Sequence, residues 1–238
     1  MESISERLVL KSVLTEILFS TSPLFSDLKS LTSYINLLKQ RFDSVTYEEQ
    51  LKHIKCLSTD GKKQALIFSN RIVVEYRDPT SYNNFISIND AIVTDYAKTF
   101  EVNQFDRTGI RFHMPARFSN FEEAKKLFFD KFFNVLREVQ LPEDLHTGFD
   151  SGKVDLYYTL GDKKLYISIL PVRMQFMEVK FGRIGHEDTV QNTIEGLLFD
   201  MDYFHEVRVT LNQYIDQLKN GLTIVKAKAN LLLKALGV

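Results

Sequence analysis

Between Lys63 and Met114 the spacing of apolar positions changes from strand-like to helical and back. Ala65-Leu66-Ile67-Phe68, the turn-like Ser69-Asn70 and Arg71-Ile72-Val73-Val74-Glu75-Tyr76 predict a hairpin, because the runs are β-branched and aromatic and the link is short and polar. Asp78-Pro79-Thr80-Ser81 ends it, since proline has no N–H for a ladder and Asp and Ser favour turns. Phe85, Ile88, Ile92, Tyr96 and Phe100 then recur every three or four residues, the stripe of a helix lying on a sheet. Gln104 to Met114, with Phe105, Ile110 and Phe112, predicts a strand stopped at Pro115. The unit reads β-β-α-β.

Outward from this unit the first half of the chain continues the pattern. Leu8 to Ser20 predicts a strand in its second half, broken at Ser22-Pro23. Leu28, Leu31, Ile35, Leu38 and Phe42 mark a helix, and Val45 to Leu57 a further strand ending at Asp60-Gly61. The order is β-α-β-β-β-α-β, or β-α-β-β-α-β if Val45 to Leu57 merges into the hairpin. Either fits an α+β fold with helices on one face of a mostly antiparallel sheet, in a ferredoxin-like split βαβ layer.

In the second half, Phe118, Phe121, Leu127, Phe128, Phe132, Val135, Leu136 and Val139 predict a helix, which Phe129 and Phe133 make apolar on more than one side. Val154 to Leu160, the turn Gly161-Asp162 and Lys164 to Val172 predict a second hairpin, and Met174 to Phe181 a strand. Gly182 to Asn192 reads as a polar loop and Leu197 to Tyr203 as a strand. Val207, Leu211, Tyr214, Ile215 and Leu218 mark a helix ended by Asn220-Gly221, and Leu222 to Leu236 a last one. The expected organisation is two sheet-and-helix halves, 1–117 and 118–238, forming one compact unit around a Phe-rich interface.

Composition narrows the function classes. The 238 residues are 44% hydrophobic and 26% charged, enough for a sizeable core, and the net charge of −1 supplies no global field for nucleic acid or an acidic surface. The single cysteine, Cys56, excludes an internal disulfide and a zinc ribbon and fits a reducing compartment, so a cytoplasmic protein is expected. Met1 to Arg7 lacks the basic and apolar regions of a signal peptide, and no stretch reaches the roughly 18 apolar residues of a spanning helix.

Arg107-Thr108-Gly109-Ile110-Arg111-Phe112, followed far downstream by Phe199-Asp200-Met201-Asp202-Tyr203, resembles an uncharacterised family of prokaryotic cytosolic proteins of about this length. Its members carry an Arg-x-Gly-x-Arg-Tyr strand; here Phe112 replaces the Tyr, and Met114 stands near the position of an Asn that often follows. The resemblance implies a fold and no activity.

Four groups of residues are candidates for chemistry. Asp200, Asp202, His205 and Glu206 place several donors in one short segment, and Asp-x-Asp on a strand sends both carboxylates to one face. Such a set suits Mg²⁺ or Mn²⁺ or a general base; the competing reading is a solvated edge strand feeding a helix N-terminus. His186-Glu187-Asp188, after Arg183-Ile184-Gly185, is where a loop site or a merely soluble loop would lie, and Gly182 to Gly185 is too short for a phosphate loop. Cys56 lacks a motif-placed histidine, since His53, three residues away on a strand, faces oppositely. Arg107 and Arg111 share one face of an extended segment with Phe105 and His113, alternating with Thr108, Ile110 and Phe112, with Arg117 beyond. They suit stacking on bases or gripping phosphates, as on single-strand binding sheets, or pairing with acids across the sheet.

The C-terminal segment carries Lys219, Lys226, Lys228 and Lys234 and no acid from Gln217 onward, with Leu222, Val225, Ala229, Leu232 and Leu236 along one side. That stripe suits the protein's own core, a homodimer or partner helix, or a membrane surface. Poverty in catalytic motifs makes the leading expectation a non-enzymatic binding or assembly protein with no cofactor, meeting a protein partner or itself through the C-terminal helix or a sheet face. The binding residues are then Arg107, Arg111, His113, Arg117, Lys226 and Lys228. The alternatives are a metal-dependent hydrolase or phosphoryl-transfer enzyme using Asp200, Asp202 and His205, and a single-stranded nucleic-acid binder using Arg107 and Arg111.

Overall fold

A computed structural model describes residues 8–133, 152–181 and 187–237. Eleven strands are found among them: β1 (Ser12–Leu18), β2 (Ser44–Glu48), β3 (His53–Leu57), β4 (Lys63–Phe68), β5 (Arg71–Arg77), β6 (Gln104–Phe105), β7 (Arg107–Arg117), β8 (Val154–Leu160), β9 (Lys163–Phe181), β10 (Glu187–His205) and β11 (Val209–Thr210). The helices are α1 (Leu28–Leu38), α2 (Tyr82–Thr99), α3 (Phe121–Phe132) and α4 (Leu211–Leu236), with a 3-10 turn at Pro23–Ser26. Val135, Leu136, Val139, His186 and the Gly182 to Gly185 segment lie outside the described residues.

Nine strands form one sheet in the order β2-β3-β4-β5-β1-β7-β10-β9-β8. Two hairpin meanders, β2 to β5 and β8 to β10, flank the central pair β1 and β7, and β6 pairs separately with β11. The fold is α+β with an antiparallel sheet. A ferredoxin-like split βαβ layer sets two parallel strands side by side; here every ladder of the sheet is antiparallel, because β1 inserts between β5 and β7 with both running against it. β7 pairs with β10 from Arg117↔Gly196 to Thr108↔His205, so residues from both sequence halves share the sheet.

The helices lie on one face. Asn89 of α2 donates to Thr15 Oγ1 of β1 at 2.5 Å and accepts from Tyr214 of α4, while Gln217 of α4 accepts from Thr108 Oγ1 of β7 at 2.6 Å and donates to the Tyr203 carbonyl at 3.0 Å. These side chains are buried, so the bonds satisfy groups that burial would otherwise penalise and fix the helices in register with the sheet. Beside them Tyr96 and Phe100 (ring centroids 4.6 Å apart) meet Tyr34 of α1 and Phe25 of the 3-10 turn in an aromatic cluster.

Four local expectations are corrected. Val45 to Leu57 is a hairpin and not one strand: the chain turns through Glu49 to Lys52, with Lys52 at φ 48°, and the turn is hidden in the sequence because it has no Gly, Asn or Pro and carries the exposed Leu51. Pro115 does not end its strand. Its carbonyl accepts from Val9 N–H at 3.1 Å, so its own nitrogen faces the same side, where regular pairing with β1 has already stopped at Ser12. The expected loop is strand from Glu187, paired with β9 from Glu187↔Phe181 onward.

The two C-terminal helices are one, running through Asn220-Gly221 from a Thr210/Gln213 capping box to Gly237 at φ 85°. Val207, expected in that helix, precedes it and is exposed. Gly221 is a contact point and not a stop. A Cβ there would lie 3.2 Å from Ile110 Cδ1 and 3.4 Å from Phe112 Cζ, so its absence lets α4 sit close on β7.

Candidate functional site

Alternation along each strand sends one set of side chains under the helices and the other to the opposite face, over which no element lies among the described residues. On β7 the outward set is Arg107, Gly109, Arg111, His113 and Arg117; on β10 it includes Asp200, Asp202 and Phe204; on β1 it includes Ser12, Leu14 and Glu16. Arg107, Arg111, His113, Asp200 and Asp202 are therefore brought together at the middle of an open sheet.

Register sets Arg111 opposite Asp202 and His113 opposite Asp200. The guanidinium of Arg111 nevertheless reaches diagonally, its Nε donating to Asp200 Oδ1 at 2.7 Å and its Nη2 to Oδ2, a two-pronged grip. His113 Nε2 lies 3.4 Å from the same Oδ1, and its Nδ1 shares a 2.7 Å hydrogen bond with Ser12 Oγ. Arg107 lies over the Phe204 ring at 5.0 Å, donates to Glu16 Oε2 at 3.1 Å and places Nη2 3.5 Å from Asp202 Oδ2; Arg71 stands 3.6 Å from Glu16. Three arginines and three carboxylates interlock, so the patch carries little net charge.

The carboxyls of the two aspartates are shifted in opposite directions. Burial works to raise the Asp200 carboxyl, but the hydrogen bonds and charges of Arg111 and His113 outweigh it and hold it at about 2. Asp202 is pushed up from its ordinary value by burial, which the more distant Arg107 and Arg111 offset only in part.

The other expected residues are dispersed. His205 belongs to the alternate set on β10 and points to the opposite face from Asp200 and Asp202, buried, with Nδ1 3.4 Å from Asp162 Oδ2. Burial lowers its pKa against the pull of Asp162. Asp200, Asp202 and His205 thus do not converge, because donors at i and i+5 of a strand face apart. Glu206 instead pairs with Lys164. No group of three or more metal-ligating side chains occurs among the described residues.

Clefts of about 400 Å³ (between Ser20–Leu24 and Phe100–Gln104) and about 250 Å³ (at Lys11, Arg117 and Glu195) both exclude Asp200 and Asp202. Cys56 is buried under the helices and its thiol is pushed up to about 12 by burial; His53 lies on the opposite face of β3, as the spacing requires. Glu187 and Asp188 are strand residues of β10.

The C-terminal helix spends its apolar stripe on the protein's own core. Tyr214, Leu218, Gly221, Val225, Ala229, Leu233 and Leu236 are buried, Lys228 lies 5.4 Å from the centre of the Tyr158 ring, and Lys226 is exposed. No helix of the described residues is long and apolar enough to cross a membrane.

Glu16, Leu14 and Phe204 were missed by the sequence reading as parts of the patch. The signal was present in strand alternation, but using it requires knowing that β1 and β10 flank β7. Compared with known proteins, the chain matches no family model and no curated protein.

Proposed function

We propose that the protein is a non-enzymatic docking protein whose open sheet face, centred on β1, β7 and β10, receives a protein partner. The observation that carries this reading is that the helices occupy only one face of the nine-stranded sheet among the described residues. The other presents Leu14, Val73, Phe204 and the exposed Tyr157 interleaved with an internally neutralised Arg/carboxylate network. Aromatic residues and arginine are the residue types enriched at protein interfaces, and here the arginines carry their own counter-charges. The burial of the C-terminal stripe in the core favours the sheet face over the helix as the docking element.

The same network weighs against the two alternatives. A nucleic-acid backbone would have to displace Asp200 and Glu16 from Arg111 and Arg107 before gaining a phosphate contact. A metal at Asp200 and Asp202 would have to displace the arginines, and it would find no further donor in His205. We place the protein in a reducing compartment, a reading supported by its single buried thiol.

Thermal unfolding with Mg²⁺, Mn²⁺ or a single-stranded oligonucleotide separates these readings, since a ligand of the folded state raises the midpoint. Docking predicts no shift. A metal shift abolished by Asp202→Asn, or an oligonucleotide shift abolished by Arg111→Met, would overturn it.

A further inference from the structure

Resting on the docking reading, we propose that the occupant of the open face is a second copy of this chain, related by a two-fold axis parallel to the strands and lying between β7 and β10. Such an axis places β7 over the second copy's β10, β1 over its β9 and β5 over its β8, and it preserves position along the strands. The register then fixes which residues meet.

Three rows cross the sheet at this level. They are Val73-Glu16-Gly109-Phe204-Lys164-Thr159, Glu75-Leu14-Arg111-Asp202-Tyr166-Tyr157 and Arg77-Ser12-His113-Asp200-Ser168-Asp155. Reversed on itself, the first row sets Glu16 against Lys164, Val73 against Thr159 and Phe204 over the position of Gly109. The second sets Arg111 against Asp202 and Leu14 against Tyr166. The third sets Arg77 against Asp155 and His113 against Asp200. No like charges meet in any row.

The complementarity within β7 and β10 already follows from their pairing in one chain, but that of β1 with β9 and of β5 with β8 does not. Those strands are separated by roughly 14 Å and 24 Å within one sheet at about 4.8 Å per strand, so the matched residues do not meet within one chain, where Glu16 pairs with Arg71 and Arg107, Lys164 with Glu206 and Arg77 with Glu75. Six strands of about seven residues give a footprint of roughly 500–600 Å² in projection, the order of the ~800 Å² that each partner contributes to a standard interface.

The test is sedimentation of the full chain as a function of concentration for wild type, Lys164→Glu, Glu16→Lys and the double variant, with circular dichroism to confirm folding. The wild type should dimerise, each single variant should weaken the dimer by about tenfold or more through like charges now facing, and the double variant should recover most of the loss. Glu16 and Lys164 do not touch within one chain, so recovery can arise only between copies. Should Glu16→Lys disturb the Arg107 cluster, the outer pair of the third row serves instead: Arg77→Glu and Asp155→Arg should each weaken the dimer and together recover most of the loss, both side chains being solvent-accessible in one chain.

A wild type that stays monomeric at about 100 μM, or a dimer indifferent to Lys164→Glu and Arg77→Glu, overturns the second copy as occupant. The docking reading itself fails separately, if a photo-cross-linker at Val73 captures no protein of any kind in the cell.

Discussion

Arg111 stands opposite Asp202 in the β7–β10 ladder but spends its guanidinium on Asp200, one pleat along the same face. The diagonal choice gives Asp200 a two-pronged partner that outweighs its burial and drives its carboxyl down, while burial drives Asp202 up against the weaker pull of Arg107 at 3.5 Å.

This asymmetry predicts unequal costs for equal substitutions. Asp200→Asn should destabilise the protein by on the order of 1–2 kcal/mol at pH 7, allowing for screening by the half-exposed Arg111, whereas Asp202→Asn should be close to neutral. Because the folded pKa of Asp200 lies below its unfolded value, its stabilisation is complete above the ordinary carboxylate range and is lost as pH falls toward about 2. Urea unfolding of both variants from pH 7 to pH 2.5 checks the pair, and the Asp200→Asn deficit should shrink toward the acid end.

Gly196 faces Arg117 in register, and a Cβ there would fall 1.8 Å from the Ala116 carbonyl oxygen. Backbone cannot step aside as a side-chain tip can. Gly196→Ala should therefore cost at least ~2 kcal/mol by forcing β7 and β10 apart, measured as a lowered denaturation midpoint. Gly221→Ala meets only side-chain tips, those of Ile110, Phe112 and Tyr82, and should cost less.

Asn89 bridges Thr15 and Tyr214 in the interior. Asn89→Leu takes one partner from each of two buried hydroxyls, which are left with each other, and should cost ~1–2 kcal/mol. Replacing Thr15 by Val and Tyr214 by Phe in the same chain should recover part of that loss, as denaturation of the single and triple variants would show.

Cys56 is sealed under the helices with its thiol pushed up to about 12. Alkylation by iodoacetamide at pH 8 should be slow in the native protein and rapid in urea, read by intact mass. Fast native labelling would contradict the packing of β3.

The strands and helices whose apolar residues recur with a clean period were readable from sequence: the β4–β5 and β8–β9 hairpins, α1 and α2 all follow their stripes. What failed was punctuation. Pro115 and Gly221 look like stops, yet one sits where a neighbouring strand has run out and the other where a helix touches the sheet, facts that only tertiary structure supplies. The shared face of Arg107, Arg111 and His113, and that of Asp200 and Asp202, came from alternation alone. That these faces are the same one required the β7–β10 pairing, and pairing across about ninety residues leaves no local mark.

The open face is best tested by placing a photo-cross-linkable residue at Leu14 or Val73, and for comparison at the exposed Leu231 of α4, in the full chain inside its own cells. The account predicts discrete protein adducts from the two sheet positions and none from Leu231. Adducts from Leu231 alone, or no adduct from either sheet position, would contradict it.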